Sequence, residues 1–116
     1  MTATAKMIGE SGEDGETLAF PDAMMDNARD ACVLLKALAH ESRLLILCLL
    51  AEGEKPVTAL MKALDMRQPA VSQQLARLRA DRLVNARRDG KTIYYSLAND
   101  ESREVIRLLY KLYCTR

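Results

Sequence analysis

Apolar residues recur at helical spacing along most of the chain. From Pro21 onward, Met24, Ala28, Ala31, Leu35 and Leu38 lie three and four apart, which predicts a helix with one buried stripe, opened by Pro21 and Asp22. After a break at His40, residues 41–51 are almost wholly apolar from Leu44 to Leu50, so this second helix must be covered on most sides and forms the centre of the core. Gly53 ends it, at a position where a left-handed backbone costs least. Pro56 opens a short third helix with Val57, Leu60, Met61 and Leu64 on one side. Residues 65–68 predict a tight turn, and Pro69 the first turn of a fourth helix that runs to about Asp81.

Period two then takes over. Residues 83–88 and 91–97 flank Asp89-Gly90, and Ile93, Tyr95 and Leu97 alternate with Thr92, Tyr94 and Ser96, the pattern of a two-residue hairpin. Asp100 is placed to cap a last helix whose Val105, Ile106, Leu108, Leu109, Tyr110, Leu112 and Tyr113 cover nearly its whole circumference. A terminal helix of that kind in a small chain finds its second cover on another subunit, which predicts a homodimer. The expected fold is mainly α with a small β-hairpin: a winged helix-turn-helix of five helices and a two-stranded wing.

The chain has 116 residues, 49% hydrophobic and 28% charged, enough for one domain and one core. Residues 1–20 are rich in Gly, Ser, Thr and acids without apolar periodicity and are expected to form a disordered acidic tail ahead of a single domain over 21–116. No stretch approaches the roughly 20 apolar residues that span a bilayer, and no apolar run marks an export signal, so a cytoplasmic protein without a membrane partner is expected.

The net charge of +1 conceals two opposed blocks. Residues 1–30 hold seven acids and two bases, whereas residues 67–91 hold seven bases and two acids. A basic cluster on one face displaces counterions from a phosphate backbone, which points to nucleic acid. In the fourth helix Val71, Leu75 and Leu78 form the inward stripe, leaving a polar opposite face. Gln68, Ser72 and Gln73 lie where a helix in the major groove meets base edges, and glutamine pairs bidentately with adenine. Arg67, Gln74 and Arg77 lie where phosphates are met, and Arg87, Arg88 and Lys91 sit near the hairpin tip.

The runs LLKALAHESRLLIL and MRQPAVSQQLARLRADRLVNARRDGKTIYYSL, with the final amphipathic helix, resemble the ArsR/SmtB family of winged-helix repressors over roughly residues 23–116. The resemblance implies a homodimer joined through its first and last helices, which binds an imperfect palindrome in double-stranded operator DNA and releases it when an inducer is sensed. Many such repressors sense metals, but this chain lacks their ligands. The third helix has no cysteine pair and the last has no histidine, so no metal and no cofactor are expected. His40, the single imidazole, is read as structural or solvated.

Cys32, Cys48 and Cys114 are an odd number of thiols, which does not suggest a disulfide framework. A cysteine in the second helix and one late in the last is the arrangement of the family's sulfide-responsive branch, the SqrR/BigR repressors. The resemblance implies that Cys48 and Cys114 are the sensing pair, bridged by reactive sulfur such as persulfide. Cys32 has no counterpart there and is read as a packing residue. Near the end of its helix Cys114 is expected to attack first and Cys48 to resolve. A general redox repressor closing a plain disulfide and a metal-responsive family member remain as alternatives. So does a winged helix that binds protein. An enzyme is not expected, because His40 stands about 12 Å along a continuous helix from Cys48, too far to serve as its base.

Overall fold

The computed structural model describes residues 22–114. The expected acidic tail and Pro21 lie outside the described residues, as does Arg116. Among the described residues the order is α1 (Asp22–Leu38), α2 (Glu41–Ala51), β1 (Lys55–Pro56), α3 (Val57–Leu64), α4 (Gln68–Ala80), β2 (Val84–Asp89), β3 (Thr92–Leu97) and α5 (Asp100–Cys114). These are the five helices and the antiparallel hairpin expected from the pattern. The structure adds a third, two-residue strand: β1 pairs with β3, giving the sheet order β1-β3-β2.

The chain divides into two units between Cys32 and Val33, within α1. In the first unit Met24 and Met25 are exposed, and Arg29 Nη1 donates to Asp26 Oδ1 at 2.8 Å. Four of the five stripe residues expected to be buried are therefore not buried within one chain: Met24, Ala28 and Ala31 are exposed, and Leu35 is 59% exposed. In the second unit Leu38 meets the core as expected, and it is joined there by Leu34 and Ala37 rather than by Leu35.

The core of the second unit is aliphatic. On α2, Ile46, Leu47 and Leu50 are completely buried; Leu60 from α3, Val71, Leu75 and Leu78 from α4, Val84 and Leu97 from the hairpin and Ile106 from α5 surround them. Each such side chain stabilises the fold by about 1.5–3 kcal/mol through removal of its surface from water. α2 packs against α3, α4, α5 and β3, as its run of apolar residues requires, although Leu45 on its remaining face stays 44% exposed.

Backbone hydrogen bonds set the ends of these helices. α4 closes with the Leu83 N–H donating to Leu78 O at 2.9 Å and the Arg82 N–H to Arg79 O at 3.0 Å, while Arg82 takes φ +63°. This is the double bond of a Schellman turn, here with an arginine in the left-handed position that glycine usually fills. α3 ends with Asp65 at φ +54°, a conformation that aspartate tolerates better than most residues. Gly53, past the end of α2, has φ +151°, a positive angle but not the left-handed helical one expected there. At the start of α5 the cap is Asn99 rather than Asp100: Asn99 Oδ1 accepts the Ser102 N–H at 2.8 Å, with the spacing of an N-cap to the third helical residue.

Candidate nucleic-acid interface and thiol pair

On α4, Val71, Leu75 and Leu78 are fully buried, which fixes the helix's rotation and directs the remaining residues outward. Gln68 and Gln73 are exposed and Ser72 and Gln74 half-buried. No side chain caps the N-terminus of this helix and no acid lies in its first turn, so the positive end of the helix dipole is left uncompensated beside Arg67 and Gln68. Helix ends of this kind attract phosphate oxygens. Arg77, on the last turns and exposed, has Nε 3.4 Å from Oδ2 of the half-buried Asp81.

The hairpin register runs from Val84 opposite Leu97 to Asp89 opposite Thr92. The two loop residues are therefore Gly90 and Lys91, one position later than the expected Asp89-Gly90. Gly90 has φ +67° and Lys91 has no positive φ, the pattern of a turn that demands glycine at its first central position. Lys91 thus stands at the tip with Arg88 close behind, both exposed.

Arg87 is placed differently from these two. Its Nε and Nη2 donate to Glu54 Oε2 and Oε1, both at 2.7 Å, and its guanidinium carbon lies 4.8 Å from the centroid of the Tyr94 ring. Asp89 Oδ2 is 3.9 Å from Nη1. The hydrogen bonds from Arg87 hold the Glu54 carboxyl below the usual carboxylate range, and the same bonds raise the guanidinium. Expected to contact DNA from near the hairpin tip, Arg87 is already engaged within the chain. Glu54 was invisible to sequence reasoning because the two residues are 33 apart and only β1 brings them together across the sheet.

The thiols lie on helices that pack against each other, Cys48 on α2 and Cys114 as the last residue of α5. Cys48 is half-buried against the core, whereas Cys114 is exposed. Burial pushes the Cys48 thiol up, and the negative charges of Cys114 and then Glu52 push it further. Cys48 also lines an open groove of about 460 Å³ with Leu45, Leu49, Glu52, Ile106, Arg107 and Tyr110. Arg107, Tyr110 and Cys114 follow at helical spacing on one face of α5, and the first two of them line that groove. Cys32, expected to pack, is exposed instead, because the face of α1 that carries it is uncovered in a single chain.

His40 precedes α2 and is exposed, its Nδ1 3.1 Å from Ser42 Oγ. Among the described residues no three His, Cys, Asp or Glu side chains group as ligands for a metal, and no helix is long and apolar enough to cross a membrane.

Comparisons with known proteins agree with this arrangement. The model of the bacterial regulatory protein arsR family matches residues 40–86, which run from the start of α2 into the wing. The transcriptional activator HlyU of Vibrio cholerae is 47% identical over 91 residues, covering 78% of this chain and 84% of that protein. The biofilm growth-associated repressor of Agrobacterium fabrum is 46% identical over 92 residues, 79% of each chain. Among solved structures, reduced HlyU from Vibrio cholerae superposes with a TM-score of 0.76 at 45% identity, over 82% of this chain and all of that one. The repressor BigR from Xylella fastidiosa gives 0.73 at 35% identity, over 84% of this chain and all of that one. A homodimeric winged helix-turn-helix domain from Mycobacterium bovis gives 0.71 at 33% identity, over 81% of this chain and 87% of that one. With its inward-facing α4 stripe, its polar outer face and its glycine-turned wing, the chain belongs to the ArsR family of DNA-binding transcriptional regulators.

Proposed function

We propose that two copies of this chain repress transcription from a two-fold operator and release it when Cys48 and Cys114 are joined through sulfane sulfur. Gln68, Ser72 and Gln73 of each subunit meet base edges, while Arg67, Gln74, Arg77, Arg88 and Lys91 meet phosphates. Dimer formation through α1 and α5 is supported by the exposed Leu35, Leu108, Tyr110 and Leu112, and by the homodimeric relative.

The observation that carries the sensing reading is the placement of an exposed Cys114 and a half-buried Cys48 on helices in contact, with the Cys114 charge among the causes that raise the Cys48 thiol. The exposed thiol reacts first. As thiolate it attacks the central sulfur of an organic trisulfide such as glutathione trisulfide and expels one glutathione thiolate. The Cys48 thiolate then attacks the retained sulfur and expels the second. The product is a Cys48–S–S–S–Cys114 bridge; the two cysteines are oxidised and the two glutathione sulfurs are released as thiolates. A bridge between α2 and α5 changes the core helix and the dimer-forming helix together, so it favours one dimer geometry, and only such a difference moves the DNA equilibrium.

The test combines mass spectrometry with operator binding. After glutathione trisulfide, the wild-type chain gains the mass of one bridging sulfur between Cys48 and Cys114 and loses operator affinity, while Cys48→Ser and Cys114→Ser keep theirs. A plain disulfide formed equally well with peroxide assigns the pair to general redox sensing. Release that persists in the double serine variant removes the pair from the mechanism.

A further inference from the structure

We infer that Glu54, Arg87 and Tyr94 form a strut that sets the position of the wing, and that Arg87 is a positioning residue rather than a phosphate contact. The inference rests on the operator-binding reading above and concerns how the wing is held.

The sheet order is β1-β3-β2, so β3 lies between the other two strands. Pro56 of β1 and Arg87 of β2 are both register partners of Tyr94, one on each side. Glu54 immediately precedes β1. The Glu54–Arg87 pair therefore reaches across the central strand, and the guanidinium lies over the Tyr94 ring that it crosses. One end of the strut is anchored beside α2, whose C-terminal turn closes at Glu52 and Gly53. The other end is the hairpin strand leading to Arg88 and Lys91.

A lone exposed ion pair contributes little, because its Coulomb gain in water barely offsets the side-chain freedom it consumes. This pair differs in geometry. Two parallel bonds at 2.7 Å use both carboxylate oxygens, which fixes the guanidinium plane as well as its distance. The Tyr94 face adds cation–π attraction, and Asp89 lies 3.9 Å away on the same strand. β1 contributes only two residues to the sheet, so few backbone bonds hold the hairpin to that edge and the side-chain bridge carries a larger share. The same arrangement disfavours a phosphate role, since a phosphate oxygen must displace a bidentate carboxylate to reach Arg87. Arg88 and Lys91, with which no carboxylate pairs among the described residues, are better placed for it.

The experiment measures operator binding as a function of salt for the full-length chain and for E54Q, R87Q, the double variant E54Q/R87Q and the charge-exchanged E54R/R87E, with melting curves to confirm that each folds. The strut predicts that E54Q and R87Q weaken binding several-fold and equally, that the double variant is no weaker than either, and that the slope of affinity against salt stays that of the wild type. Charge exchange recovers part of the affinity even though the cation has left the wing. A slope reduced by about one in R87Q, with E54Q binding as tightly as wild type or tighter, overturns the inference and makes Arg87 a phosphate contact that Glu54 restrains. So does binding unchanged in both single variants. Loss of salt-dependent binding by the wild-type chain itself would instead strike at the operator reading, which separates the two failures.

Discussion

At Cys48 the fold favours the neutral thiol. Burial is the largest cause, followed by the charges of Cys114 and Glu52. A thiol whose pKa is raised by folding contributes stability that is complete below the ordinary thiol range and lost as pH climbs through the raised value. The same shift makes Cys48 a slow nucleophile near neutrality, since the thiolate is the reactive form. Site-resolved alkylation across pH is expected to place the Cys48 midpoint above that of the same cysteine in the unfolded chain. In Cys114→Ser that midpoint falls only part of the way, because desolvation remains; a return to the unfolded value would mean that the Cys114 charge, not burial, governs the site. Cysteine positions are plain in a sequence, but their reactivity is not. It depends on which helix faces pack, and residues 48 and 114 are related only through the packing of α2 on α5.

Among the elements, the helix-turn-helix and the wing were the most legible. The stripe Val71, Leu75, Leu78 was assigned inward and is buried, because a period of three and four over an otherwise polar helix admits a single orientation. Termini were less legible. Asn99 displaced Asp100 as the cap of α5, since both residues suit the role and only the backbone path decides between them. The hairpin loop moved by one residue to Gly90-Lys91, because Asp-Gly and Gly-Lys both fit a two-residue turn and local sequence does not choose between them. Arg82, left-handed at φ +63° at the end of α4, carries a cost that local sequence does not reveal. Replacing it with glycine removes the Cβ clash and is expected to stabilise the chain by about 0.5–1 kcal/mol after the added freedom of the unfolded glycine is offset. Urea unfolding of Arg82→Gly measures this, and a destabilised variant would mean that the arginine side chain makes contacts worth more than its strain.

In the whole molecule, the apolar residues on the outer side of α5 define the remaining question. Leu108, Leu112 and Tyr110 are each more than half exposed, an arrangement at odds with a monomer in water and suited to a partner helix. Leu108→Glu or Leu112→Glu is expected to convert a dimer to monomers in sedimentation and to weaken operator binding strongly, since one subunit then reaches a single half-site. A dimer that survives both substitutions would place the interface elsewhere.

The linear order of apolar and polar residues sufficed for the helices, the turn, the wing and the polar outer face of α4, because helical and strand periods are local properties that each segment carries by itself. Which stretch of α1 enters the core, how Glu54 spans the sheet to Arg87, and the packing of the two helices that carry thiols 66 residues apart were decided only on folding. These contacts join segments distant in the chain, and their geometry is set by the packing of one helix on another and by a two-residue strand too short to leave a pattern.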